Sequence, residues 1–308
     1  MPIVERDPWR YQFFEAVPCP DHVMIPTDDP DCWTWYPQHR WIYDKLKIAE
    51  SQGLTCGPHG VSPPAFPVFS KPMTNLKGMG IGSRVFTSAE DYDHHYAPGH
   101  MWMDLLTGPH VSTDCAIESG RLAWSRHATG VPWNDGMFKY WTIHAAADPA
   151  LDAYLDSWVS RHMAGYTGMM NFETIGGYII EAHLRFADQW CDLYGDGWVE
   201  ALVRLYETGC WRFADVNRQD GFSVPLFASH GQVPRHPSPE VQSRIRSLPH
   251  VKSLQITFHE AKHAADHPMP PGGFRLGIVN ATDLAAGLAA RRELAKAFPA
   301  QIIQHQDS

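Results

Sequence analysis

The chain has 308 residues, with 25 Lys and Arg against 34 Asp and Glu, a formal net charge of −9, and no stretch where basic residues concentrate, so an electrostatic nucleic-acid binder is excluded. With 44% hydrophobic and 19% charged residues the composition is that of a globular protein and not of a disordered one, and at about 150 residues per domain the length accommodates one large or two ordinary domains. No apolar run reaches the roughly 18 to 20 residues of a membrane span, and the start MPIVERDPWRYQFFEAV has no basic-then-apolar leader pattern, so a cytoplasmic protein without a membrane partner is expected.

Residues 1–40 carry many prolines and aromatics (Pro18, Pro20, Pro26, Pro30, Trp33, Trp35, Pro37) and show little periodicity, which predicts a short strand or two and irregular packing. From Trp41 to Gln52 the apolar positions Ile42, Leu46 and Ile48 recur at helical spacing, with Gly53 placed to stop the helix. Phe66 to Phe69 reads as a buried strand running into Lys71-Pro72, and the glycine-rich segment Thr74 to Ser83 reads as a loop between two strands. Arg84 to Thr87 resumes a strand, and Ser88 with Glu90 and Asp91 opens a short helix. Met101–Leu106, Val111–Ile117 and Leu122–Trp124 read as strands, the last two joined at Ser119-Gly120, hence an antiparallel meander.

Asp148-Pro149 caps a helix whose apolar positions Leu151, Leu155, Trp158 and Val159 repeat at spacings of three and four. A hairpin follows, Tyr166–Glu173 and Tyr178–Arg185 about a turn at Ile175-Gly176-Gly177, and then an amphipathic helix over Trp198–Tyr206. Beyond Trp211 the pattern weakens until strands at Val251–Phe258 and Phe274–Val279, and an Ala- and Leu-rich helix at Asp283–Phe298 with Arg291 and Arg292 on its exposed side. The six cysteines form no C-x-x-C pair, so neither a zinc ribbon nor a disulfide framework is indicated.

The hairpin carries the chemistry. A three-residue loop would pair Glu173 with Ile179 and Asn171 with Glu181, and strand alternation then puts Asn171, Glu173, Glu181, His183 and Arg185 on one face, with Ile180, Ala182 and Leu184 toward a core. Two carboxylates and a neutral ligand on one face suit a hard divalent cation; an exposed face with ordinary ion pairing is the alternative. Lys71, ending a buried strand before closely spaced glycines, offers a charge and backbone N–H groups to phosphate, although neither G-x-x-x-x-G-K-[ST] nor a helix-opening G-x-G-x-x-G is present.

In this order the residues resemble the ATP-grasp superfamily, the fold of biotin carboxylase, glutathione synthetase and D-alanine–D-alanine ligase, over roughly Trp41 to Phe213. Tyr43-Asp44-Lys45 and Phe69-Ser70-Lys71-Pro72 are similar to the family's two lysine motifs, and Asn75 to Ser83 to its phosphate loop, which includes Gly78, Met79, Gly80, Gly82 and Ser83. Met103-Asp104-Leu105-Leu106-Thr107-Gly108 resembles the hinge strand that meets adenine, His110 to Asp114 the polar strand after it, and Glu173 with Glu181-Ala182-His183-Leu184-Arg185 the metal hairpin. His183 departs from the usual Asn, and only 44 residues precede Lys45, where many members carry a Rossmann-like domain.

The resemblance implies an α+β protein of two small antiparallel-sheet subdomains clamping ATP: an abbreviated region at 1–40, a small subdomain at 41–106, a large one at 107–213 and a C-terminal cap at 214–308. It implies an ATP-dependent ligase that converts a carboxylate to an acyl phosphate and joins it to an amine, with small-molecule substrates and assembly as a homo-oligomer left open. Lys45 and Lys71 would hold phosphates, Glu173, Glu181 and His183 would hold Mg2+ or Mn2+, and Arg185, with Arg126 as a further candidate, would steady the reacting oxygens. Two other readings stand beside it. His259-Glu260-Ala261-Lys262-His263 matches the H-E-x-x-H of zinc hydrolases, with His267 a third imidazole, and a nucleotide-binding protein without catalysis would share the phosphate residues.

Overall fold

The computed structural model describes residues 3–5, 7–298 and 303. The N-terminal region holds a parallel strand pair, β1 (Ile3–Val4) with β2 (Ile25–Pro26), and the helix α1 (Asp29–Trp35), which the sequence pattern did not reveal. Its start is nonetheless locally encoded: Asp28 is an N-cap whose side chain accepts from Asp31 N, Pro30 lies in the first turn, and Asp29 and Asp31 stand at the positive end of the helix.

The expected helix after Trp41 is shorter than its periodicity suggests. A 3-10 segment runs to Tyr43, Asp44 caps α2 (Lys45–Glu50) by accepting from Leu46 N and Lys47 N, and Gly53 turns away at φ +73°. A four-stranded sheet follows, in the order β3 (Cys56–Pro58), β6 (His100–Asp104), β4 (Val68–Pro72), β5 (Arg84–Phe86), with α3 (Ala89–His94) capped by Ser88 as its sequence indicates.

The second sheet has eight strands. It comprises β7 (His110–Glu118), β8 (Arg121–Pro132), β9 (Phe138–Ile143), β10 (Gly168–Ile175), β11 (Tyr178–His183), β12 (Gly221–Ala228), β13 (Val251–Ile256) and β14 (Phe274–Ala281). Their order across the sheet is β11-β10-β7-β8-β9-β12-β14-β13. Every pairing within the two larger sheets is antiparallel, so the class is α+β. Within residues 214–308, the expected cap, β12, β14 and β13 continue the large sheet.

Helices bury the sheet's faces in separate clusters. Leu151, Leu155, Trp158 and Val159 of α4 (Pro149–His162) pack with Cys115, Ile117, Phe172, Ala182 and Leu184, together with Ile42 and Ile48 from the α2 region. Trp198, Leu202 and Leu205 of α5 (Trp198–Thr208) meet Trp124, Trp141 and Phe186. Next come α6 (Pro239–Arg246), unpredicted, and α7 (Leu284–Ala295), whose Ala290 and Leu294 cover Leu226, Leu276 and Val279. Arg291 corrects the expectation of an exposed basic face: it is 2% exposed and donates to Lys139 O at 3.1 Å, because small alanines and glycine let α7 lie close to the strands. Arg292 is exposed as expected. Among the described residues no helix is long and apolar enough to cross a membrane.

Candidate active site

The two sheets face each other across a cavity of about 750 Å3. One wall is the small sheet and its loop, the other the hairpin of β10 and β11 with β7 beneath it.

On the small-sheet side, Lys71 is the penultimate residue of β4, paired with Met101 of β6, and only 3% exposed. Its Nζ donates to Ile180 O of the opposite hairpin at 2.8 Å. Burial pulls its pKa down to about 8 despite the nearby Glu181 carboxylate. After β4 the glycine loop is ordered by Asn75, whose Oδ1 accepts from Lys77 N at 2.9 Å and whose Nδ2 donates to Gly78 O at 2.9 Å. Gly78, Met79 and Gly80 follow with φ of +64°, +63° and +64°, a left-handed run in which Met79 is the one residue carrying a Cβ. Gly78, Met79, Gly80 and Ser83 line the cavity, as do Met103, Asp104, Leu105 and Leu106. Gly82 does not; it packs against Pro72 and His100.

On the hairpin side, the observed register pairs Glu173 with Glu181 and Asn171 with His183, two residues away from the expected one. The turn uses Gly176-Gly177 alone, and a bulge between Glu173 and Thr174 opposite Ile180 absorbs the remaining offset. A slip by two preserves facing, so Asn171, Glu173, Glu181, His183 and Arg185 do share a face, and all five line the cavity; Ile180, expected on the core face, lines it too, as the unpaired residue at the bulge. Glu173, Glu181 and His183 bring one potential ligand atom each within 4.8 Å of one another, the one such group found among the described residues.

Each member of that group is oriented by a neighbour. Glu173 Oε2 lies 3.1 Å from His110 Nε2 on β7, and this contact, with the charges of His183 and Arg185, outweighs burial to hold the carboxyl below its ordinary range. Glu181 Oε1 lies 2.5 Å from Lys45 Nζ. His183 Nδ1 lies 3.0 Å from Asp29 Oδ2, and Arg185 Nη2 donates to the same oxygen at 3.1 Å. Burial alone would raise the Asp29 pKa, but Arg185 and then His183 keep it below the usual range, while Asp29 helps hold the Arg185 guanidinium charged against its own burial.

Three expectations change. Lys45 faces Glu181 and does not line the cavity. Arg126 pairs across strands with Asp114, hence on the site's face of the sheet, but it is 1% exposed, outside the cavity, and donates to Asp215 Oδ1 at 3.5 Å and Gln219 O at 2.8 Å. It is not a pocket residue, because the 213–220 loop covers it. The H-E-x-x-H segment is not helical: His259 to His263 is irregular, with a 3-10 turn only at Ala264–Asp266, so its imidazoles do not share a helix face. His267 accepts from His259 N at 3.0 Å, and Glu260 accepts from His236 N, so no zinc centre is assembled there.

Sequence reasoning missed several groups. Asp29, Arg10, Asp188 and Arg275 also line the cavity. Arg10 Nη1 lies 2.6 Å from Asp188 Oδ2 and 3.1 Å from Asp7 Oδ2. Arg275 of β14 is 8% exposed, and burial, reinforced by Arg10, brings its pKa down to about 10. The Asp28-Asp29-Pro30-Asp31 capping sequence was the one local signal for any of these. Beneath the hairpin, the Asp114 carboxylate accepts from Asn171 Nδ2 at 2.7 Å, Ala187 N at 2.9 Å and the Tyr194 hydroxyl at 2.6 Å.

No protein-family model matches the chain, and no curated protein matches it. Solved structures do. An L-amino acid ligase from Bacillus licheniformis aligns over 94% of this chain and 82% of its own, with a TM-score of 0.61 at 11% identity. Carboxyaminoimidazole ribonucleotide synthase from Aspergillus clavatus, complexed with ATP, aligns over 84% and 74% with a TM-score of 0.58 at 12% identity. Phosphoribosylamine–glycine ligase from Thermotoga maritima aligns over 94% and 85%, also with a TM-score of 0.58 at 12% identity. The chain shares its fold with these three proteins.

Proposed function

We propose that the chain is an ATP-dependent ligase that activates a carboxylate as an acyl phosphate and joins it to an amine or similar nucleophile. The observation that carries the reading is the placement of Glu173, Glu181 and His183, within 4.8 Å of one another, on the cavity wall that also bears Arg185 and faces Lys71 and the glycine loop. Two of the fold-mates named above are ligases, and the third, a synthase, was solved with ATP.

In this reading Lys71 and the backbone of Gly78 to Gly80 hold the phosphates, and Met103 to Leu106 line the adenine end. Two carboxylates and an imidazole balance a divalent charge, so Glu173, Glu181 and His183 fit Mg2+ or Mn2+, which would neutralise phosphate oxygens. Arg185, kept charged and aimed by Asp29, steadies charge developing on the transferred phosphoryl group and the acyl oxygens. A substrate carboxylate oxygen attacks the γ-phosphorus and ADP leaves; the amine then attacks the acyl carbon and inorganic phosphate leaves.

Thermal unfolding with and without Mg2+ and ATP tests the nucleotide site, since a ligand of the folded state alone raises stability by RT ln(1 + [L]/Kd). The expected result is a Mg2+-dependent rise in Tm for the native protein that is lost in Lys71→Ala and Glu181→Ala. A screen of carboxylate and amine pairs for ADP release then tests the reaction. Binding with no ADP release from any pair would mark a non-catalytic nucleotide-binding protein instead.

A further inference from the structure

His183 stands between two carboxylates, and its contacts with them differ in kind. Its Nδ1 is 3.0 Å from Asp29 Oδ2, hydrogen-bonding distance, while its Nε2 is 3.6 Å from Glu181 Oε2, beyond it. An ionised carboxylate only accepts, so Nδ1 is the donor to Asp29, and a neutral imidazole then carries its lone pair on Nε2, on the side of Glu181. With Nε2 unprotonated, two acceptors face each other across a gap that a bound cation can bridge. Asp29 itself is fixed: it is 5% exposed, sits in the first turn of α1, and its Oδ2 also accepts from Arg185 Nη2.

We propose that Asp29 is a positioning residue that fixes His183 as an Nε2 metal ligand, and that the site therefore prefers Mn2+ to Mg2+. The proposal rests on the reading of Glu173, Glu181 and His183 as a cation site. Its physical basis is ligand chemistry: Mg2+ selects oxygen donors, whereas an imidazole nitrogen favours first-row transition metals. A carboxylate behind a ligating imidazole sets its tautomer and raises its basicity, and removing such a partner costs about 10- to 100-fold in affinity. The N-terminal segment thereby supplies part of the metal site, although it contributes no ligand.

The test is Mn2+ binding to the full chain without nucleotide, followed by the loss of the free-ion electron paramagnetic resonance signal, with Mg2+ as competitor. The native protein is expected to bind Mn2+ more tightly than Mg2+ and to show directly coordinated nitrogen in the electron spin echo modulation of bound Mn2+. His183→Asn should remove the nitrogen signal and most of the Mn2+ preference. Asp29→Ala should weaken Mn2+ by about 10- to 100-fold and Mg2+ by much less, and Asp29→Asn, which keeps an oxygen acceptor, should recover part of the loss. A purely structural Asp29 would lower Tm in Asp29→Ala without changing the Mn2+ to Mg2+ ratio, and that outcome overturns the proposal. Should Asp29→Ala fail to fold, an unchanged ratio in His183→Asn or in Asp29→Asn overturns it equally. Absence of binding by either ion would instead remove the cation-site reading on which the proposal stands.

Discussion

Lys45 Nζ and Glu181 Oε1 lie 2.5 Å apart and join the first residue of α2 to β11 of the hairpin. Both side chains are largely buried, 8% and 17% exposed. Lys71 has a different partner, a backbone carbonyl. The two lysines therefore differ in place: Lys71 lines the cavity, and Lys45, outside it, offsets a carboxylate.

Lys45→Met should consequently act through Glu181. Removing one member of a buried pair costs about 3 to 5 kcal/mol because the remaining charge is uncompensated, and here that charge sits beside Glu173. The expected outcome is a lower Tm in metal-free protein and a larger recovery on adding Mg2+ than the native chain shows. Thermal unfolding across a Mg2+ series measures both. A recovery no larger than native would mean that Lys45 is not the counter-charge of Glu181.

Asp114 makes the stability of the fold depend on pH in a defined direction. Burial raises its pKa from 3.8 to about 6, even though Tyr194, Ala187 and Asn171 all donate to it. Between these values the folded state holds a proton that the unfolded chain has released, so the contribution of Asp114 to stability falls as pH rises from about 4 to about 6 and levels off above, by up to ~3 kcal/mol. Asp114→Asn has no such term. The difference in unfolding free energy, variant minus native, should therefore grow in the variant's favour over that window. Denaturant unfolding at pH 4, 5, 6 and 7 measures it, and a difference independent of pH would contradict the assignment.

What the sequence revealed and what it concealed follow from how local each signal is. The site face of the hairpin was legible because alternation survives a slip by two residues, even though the bulge opposite Ile180 was not foreseen. Helix α4 announced itself through Asp148-Pro149 and its apolar spacing. Strand β12 was hidden by Pro225, which is tolerated because pairing with β9 ends at Ser223, so no ladder bond is lost on that side. The partners of Asp29 and Arg126 could not be read at all: His183 and Asp215 are 154 and 89 residues away. Periodicity carries no information at such separations.

The turn glycines of the hairpin provide a test of how the cavity walls are held together. Gly176 N donates to Pro109 O at 3.2 Å, and a Cβ at Gly176 would overlap Thr107 O, with Gly108 directly alongside. The hairpin tip thus packs against the segment that continues from Leu105 and Leu106, two residues of the cavity wall. Gly177 has the same left-handed backbone, φ +86° against +58°, but its Cβ position has nothing within 4 Å. Gly177→Ala should therefore cost only the backbone strain of about 1 to 2 kcal/mol, with nucleotide affinity unchanged. Gly176→Ala carries the same strain and must also push the Thr107 backbone away, displacing the Leu105–Leu106 wall. It should lower Tm further and weaken ATP binding. Measuring Tm and ATP affinity for both variants separates strain from contact, because equal effects at the two positions would show that the close approach to Thr107 does not hold the wall in place.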